Sequence, residues 1–159
     1  MIKNVLMSCL DIAQPPDLLK TALGSCVGVV VFDPDFEICG LAHIMLPYMG
    51  SHKPHEAAQF ADQGIPTLVK KIKDFSSASQ NRVLKAKIAG GSQMFQEVTF
   101  KTITSIGEQN IKAVRQVLKD LNIPILGEDL GGNKGRQLLV DASKRVVSVC
   151  EIGGKFREI

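Results

Sequence analysis

Leu23-Gly24-Ser25-Cys26-Val27-Gly28-Val29-Val30-Val31-Phe32-Asp33-Pro34-Asp35 carries the clearest structural signal in the chain. A Gly-Ser turn enters an apolar, valine-rich run at residues 26–32, of strand length and composition. Asp33 and Pro34 then supply the residues preferred at the first two positions of a type I turn. Residues 38–46 resume an apolar run of strand length, so the pattern predicts an antiparallel hairpin. If Asp33 and Phe36 flank a two-residue loop, Cys26 falls opposite His43, with Cβ atoms about 4.5–5.5 Å apart. A slip of one position would carry the histidine to the other face.

Outward from the hairpin, segments 4–10, 84–89, 123–126, 137–140 and 146–152 also have strand length and apolar character. Two segments have helical period instead. Ala57, Ala61, Ile65, Leu68, Val69, Ile72 and Phe75 form one stripe, with Pro66 predicting a kink or a late start. Ile111, Val114, Val117, Leu118 and Leu121 form the second, with capping-box spacing at Ser105–Glu108 and a stop at Asn122 and Pro124. Many strands and two helices predict an α/β (α+β-like) fold, a mixed β-sheet packed by two main helices.

The chain of 159 residues has no repeat or linker that would divide it, and 1–159 reads as a single domain. Folding at this size removes about 17,000 Å² from water, enough for a core without staples. The net charge of +3 is not gathered into a basic block, and one Tyr and no Trp leave little to stack on bases. A nucleic-acid partner is therefore not expected. The apolar runs are too short to span a bilayer, and the first residues lack the core and cleavage site of a signal peptide, so no membrane insertion is expected. Cys9, Cys26, Cys39 and Cys150 have no C-x-x-C pairing and read as reduced thiols in a cytoplasmic protein.

Cys26 at a strand mouth, with His43 opposite, has the composition of an activated thiol. Alone, Cys26 would be read as a core thiol and His43 as a satisfied core histidine. Together they form a Cys–His dyad in which imidazolium lowers the thiol pKa, thiolate attacks, and the imidazole protonates the departing amine. Metal binding competes poorly. Cys39 and His43 at i, i+4 on a strand are about 13 Å apart, too far to share an ion. His52-Lys53-Pro54-His55 offers two imidazoles on what otherwise reads as a solvated loop, and Cys9, Cys39 and Cys150 read as buried small hydrophobes. No phosphate loop, G-x-G-x-x-G or G-x-S-x-G elbow is present, so no nucleotide cofactor is expected and Ser25 is not read as a nucleophile. The glycine clusters at 89–95 and 128–136 read as tight turns, or as loop walls beside the Cys–His site.

In chain order, Thr21-Ala22-Leu23-Gly24-Ser25-Cys26-Val27, Phe32-Asp33-Pro34, Gly40-Leu41-Ala42-His43-Ile44-Met45-Leu46-Pro47 and Lys87-Ile88-Ala89-Gly90-Gly91-Ser92-Gln93-Met94-Phe95 resemble the chemoreceptor glutamine deamidase family, CheD. The likeness continues through Ile106-Gly107-Glu108-Gln109-Asn110, 124–126 and Glu128-Asp129-Leu130-Gly131-Gly132. It implies a catalytic cysteine at Cys26, a catalytic histidine at His43 and a third catalytic residue at Thr21, with backbone amides around Gly24, Ser25 and Cys26 as oxyanion donors. It implies hydrolysis of glutamine side chains to glutamate on methyl-accepting chemotaxis receptors, with methyl-ester hydrolysis as a side reaction and no cofactor or metal. A three-layer α/β/α-type sandwich and a CheC-type phosphatase partner are implied as well. The alternative is a non-catalytic regulatory partner of chemoreceptors or of that phosphatase.

Overall fold

The computed structural model describes residues 1–35, 37–75, 81–94 and 104–159. Its elements follow in the order β1 (Ile2–Asn4), β2 (Leu10–Ala13), β3 (Leu18–Leu23), β4 (Val27–Phe32), β5 (Cys39–Ile44), α1 (Ala61–Phe75), β6 (Lys85–Gly90), α2 (Ile106–Asp120), β7 (Ile125–Leu130), β8 (Arg136–Asp141), β9 (Val146–Glu151) and β10 (Arg157–Glu158). The hairpin is present as β4 and β5, antiparallel and buried on both faces. Its register differs from the expected one: Phe32 pairs with Cys39 and Gly28 with His43. The connection is wider than two residues, held by Asp33, whose carboxylate accepts from Glu37 N at 3.1 Å. Phe36, the expected flank, lies outside the described residues. The discrepancy is two positions, so it preserves the face on which each side chain points.

A central sheet has the order β2-β5-β4-β6-β7 and an outer sheet the order β1-β3-β8-β9-β10. Along β4, Val27, Val29 and Val31 pack towards the two helices, while Val30 and Phe32 pack towards the outer sheet. On the helical side, Ile65, Leu68 and Ile72 of α1 join Val114, Val117 and Leu118 of α2. On the other side, Leu19 and Leu23 of β3 and Leu138 and Val140 of β8 meet Leu41 of β5. The layers are thus helices, sheet and sheet, which corrects the expected α/β/α order: a second sheet stands where a second helical layer was implied. Gly28 allows the two sheets to approach closely, since a Cβ there would lie 2.7 Å from Leu138 Cδ2 and 3.0 Å from Leu23 Cδ1.

Both helices bury the middle of the apolar stripes read from the sequence, whereas Ala57 precedes α1 and, like Phe75 and Leu121, is exposed. Pro66 lies inside α1, and the helix runs on past it. Ser105 caps α2 by accepting from Glu108 N at 3.2 Å. At the other end Asn122 adopts φ 56°. Asn122 N then donates to Lys119 O and Ile123 N to Leu118 O, the paired bonds of a Schellman stop. The segment 4–10, expected as one strand, instead runs from the end of β1 through a loop at 5–9 to the start of β2. Cys9 and Cys150, expected to be buried, are half-exposed, whereas Cys39 is buried. Among the described residues, no helix is long and apolar enough to cross a membrane.

Candidate active site

Cys26 sits on the turn that feeds β4, and this turn is fixed from behind at three consecutive carbonyls. Ser92 N donates to Gly24 O at 2.9 Å, Asn110 Nδ2 to Ser25 O at 3.0 Å, and Gly91 N to Cys26 O at 2.8 Å. Gly90 makes this possible: its φ is +109°, and a Cβ there would lie 2.3 Å from Cys26 O. In a trans peptide the N–H points opposite to the preceding carbonyl. The amides of Ser25 and Cys26 therefore point away from Ser92 and Asn110.

His43 faces the outer sheet from β5. The loop between β1 and β2 holds its backbone: His43 N donates to Cys9 O at 2.9 Å and Ser8 N donates to His43 O at 3.0 Å. Thr21 reaches it from β3 of the outer sheet, placing Oγ1 2.8 Å from His43 Nδ1 and 2.6 Å from Val5 O. Cys26, His43 and Thr21 are only 8%, 5% and 6% exposed, so these polar atoms depend on protein partners. That dependence fixes the tautomer. The Val5 carbonyl can only accept, so the single Thr21 hydroxyl proton goes to it. His43 Nδ1–H must then donate to Thr21 Oγ1, leaving Nε2 as the basic nitrogen.

The two-position change in register removes the direct Cys26–His43 opposition and replaces it with a diagonal relation on the same face. Thr21, Cys26 and His43 line a single cleft of about 720 Å³ with Gly24 and Ser25. Burial pushes the Cys26 thiol above its ordinary value. Burial likewise holds the His43 imidazole below 6.5, partly offset by hydrogen bonding at the Val5 carbonyl. Burial thus opposes the charged forms of both groups, and with them the thiolate–imidazolium pair expected from the sequence.

Among the described residues the first glycine cluster reaches the cleft through Met94, and the second braces the first from outside it. Gln93 N donates to Gly132 O and Gly131 N to Gly90 O, both at 2.9 Å, and Met94 lines the cleft. Phe95 lies outside the described residues. Buried Arg136 organises the clusters, donating to the Asp129 carboxylate, to Ser92 Oγ at 2.8 Å and to Gly131 O. The sequence reading missed the loop from Val5 to Cys9, Asn110 and Arg136. Asn110 had a visible signal, being a carboxamide four residues before Val114 on the apolar stripe of α2. His52 stacks on Phe60 at 6.3 Å, and with His55 lines a separate hollow of about 290 Å³. Among the described residues no three His, Cys, Asp or Glu side chains converge as metal ligands.

The fold and cleft define a class: a sandwich of helices and two sheets with cysteine, histidine and threonine gathered at one end of the sheet interface. Residues 45–151 match the family model described as CheD chemotactic sensory transduction, and the chain belongs to the CheD family. It is 41% identical over 151 residues to the probable chemoreceptor glutamine deamidase CheD of Desulforamulus reducens, covering 92% of this chain and 88% of that protein. It is 37% identical over 161 residues to the chemoreceptor glutamine deamidase CheD of Halalkalibacterium halodurans, covering 99% and 98%. With the probable chemoreceptor glutamine deamidase CheD of Clostridium tetani it shares 39% identity over 152 residues, covering 94% and 91%.

Proposed function

We propose that this chain is a protein-glutamine glutaminase that converts selected glutamine side chains of chemoreceptors to glutamate, using Cys26 as nucleophile. The observation that carries the reading is the contact of Thr21 Oγ1 with His43 Nδ1 at 2.8 Å in the cleft that also holds Cys26. The hydroxyl leaves Nε2 free to accept a proton, which a buried neutral thiol needs before it can attack.

His43 takes the Cys26 proton as Sγ adds to the carboxamide carbon. The resulting oxyanion is met by the amides of Ser25 and Cys26, held in place through the Gly24 and Ser25 carbonyls. His43, now imidazolium, gives its proton to the departing nitrogen, and ammonia leaves with the C–N bond. Water then adds to the thioester, losing a proton to His43, and the tetrahedral species collapses to glutamate and free Cys26 thiol. Thr21 positions the imidazole throughout, and no step calls for a cofactor. A receptor glutamate methyl ester would follow the same course with methanol as leaving group. A cytoplasmic setting, and a CheC-type phosphatase as a second partner, belong to the same reading.

The test is peptide mass spectrometry of a receptor cytoplasmic fragment incubated with the protein and with Cys26→Ala. Gln-to-Glu conversion that disappears in the variant is expected. Binding of receptor or phosphatase without conversion would overturn the reading in favour of a regulatory binding protein.

A further inference from the structure

The backbone ladder between β4 and β5 ends at the pair Val27 and Ile44. Just beyond it the chain leaves the ladder at Cys26 on one side and at Met45, two residues past His43, on the other. One side chain bridges them there. Asn110, in the first turns of α2 and wholly buried, donates from Nδ2 to Ser25 O at 3.0 Å and to Met45 O at 2.9 Å. Its two amide hydrogens thus serve one carbonyl on each strand. The amide orientation is set by chemistry, because an oxygen in that place would face two acceptors.

Asn110 Oδ1 is buried and has no partner among the described residues, a situation that costs free energy. Its neighbours on the same stripe, Ala113, Val114 and Val117, are apolar. An apolar residue would spare that acceptor but leave the Ser25 and Met45 carbonyls without this donor. What it would lack is the bridge.

We propose that Asn110 is a positioning residue that sets the spacing between Cys26 and His43 and aims the Cys26 amide at the developing oxyanion. The tether to Ser25 O fixes the peptide plane that carries the Cys26 N–H. The tether to Met45 O fixes the strand end two residues from His43. A single amide therefore controls both the distance across which the thiol proton moves and the direction of an oxyanion donor, without touching substrate. This builds on the proposed Cys26–His43 chemistry.

The experiment pairs Asn110→Ala with Asn110→Asp, which keeps the size and loses donor capacity. Folding is checked by circular dichroism. Two readouts are taken: kcat and KM for deamidation of the receptor fragment, and the pH profile of Cys26 alkylation by iodoacetamide, resolved by peptide mass spectrometry. The alkylation readout needs no substrate. Wild type is expected to show an inflection from His43 that is missing in His43→Ala. Folded Asn110 variants are expected to lose that inflection, and to lose kcat about 10- to 100-fold with KM nearly unchanged. Folded variants that retain the inflection and the wild-type kcat would overturn the proposal. If wild type shows the inflection without any deamidation, its loss in the variants upholds the role of Asn110 while the deamidase reading fails. A wild type with neither inflection nor turnover overturns both.

Discussion

Replacing Thr21 with valine tests the site most directly, because it exchanges one hydroxyl for a methyl at nearly constant volume. Two hydrogen bonds are lost, at 2.6 Å to Val5 O and at 2.8 Å to His43 Nδ1. Each such bond contributes about 0.5–1.5 kcal/mol net, so the fold should lose about 1–3 kcal/mol. For a chain of this size a loss of about 2 kcal/mol lowers Tm by about 4–8 °C. The kinetic effect should be larger than the structural one. As His43 takes the thiol proton, its bond to Thr21 becomes charge-assisted, a class that contributes about 1.5–3 kcal/mol. Loss of that support predicts a fall in kcat of about 10- to 150-fold. Thr21→Ser keeps the hydroxyl and should stay within a few-fold of wild type. The assay is Gln-to-Glu conversion of a receptor fragment by mass spectrometry, beside thermal unfolding of each variant. A Thr21→Val protein that melts early yet turns over like wild type would show that the hydroxyl stabilises the fold without orienting the imidazole.

Two further outcomes follow from the same geometry. Since burial holds His43 below 6.5 and the neutral imidazole is the competent form, kcat/KM should persist through the usual histidine range and fall only at lower pH. The same depression makes folding stability decline as pH drops from 6.5 through the folded value, a decline that His43→Gln should remove; an acid limb at or above 6.5 would contradict the reasoning. Gly90→Ala sets a Cβ 2.3 Å from Cys26 O at φ +109°. Strain and overlap together should cost about 2–5 kcal/mol. Thermal unfolding and turnover should both suffer, whereas an unchanged Tm would mean that this strand end is free to shift.

The hairpin could be read because its signals are local: a β-branched run, an Asp-Pro turn and a second apolar run of strand length. Its register could not, because loop width depends on how Asp33 folds back on Glu37, a contact that composition does not encode. Cys26 and His43 were found together all the same, since an even offset preserves the face of a strand. Thr21 was reached through the family likeness and not through a strand signal. In Leu18-Leu19-Lys20-Thr21-Ala22-Leu23 the inward positions are Leu19, Thr21 and Leu23, and the polar Thr21 blurs the alternation. The outer sheet was hidden because β3 pairs with β8, far away in sequence, and with β1, from which a loop, β2 and the turn at Pro15-Pro16 separate it. The loop at Val5 to Cys9 was mistaken for a strand because its apolar residues serve the site: Val5 through its carbonyl, Leu6 and Met7 as cleft wall.

His43 belongs to the central sheet and Cys26 to the turn that feeds it, while Thr21 belongs to the outer sheet. The contact that orients the imidazole is therefore also a contact between layers. A chain in which the helices had already settled on the central sheet, but the outer sheet had not yet closed over it, would hold a cysteine and a histidine with no hydroxyl behind the ring. On the proposed mechanism such a chain would be a weak hydrolase, so full activity would require both layers in place and local opening of the outer sheet would lower it without touching cysteine or histidine.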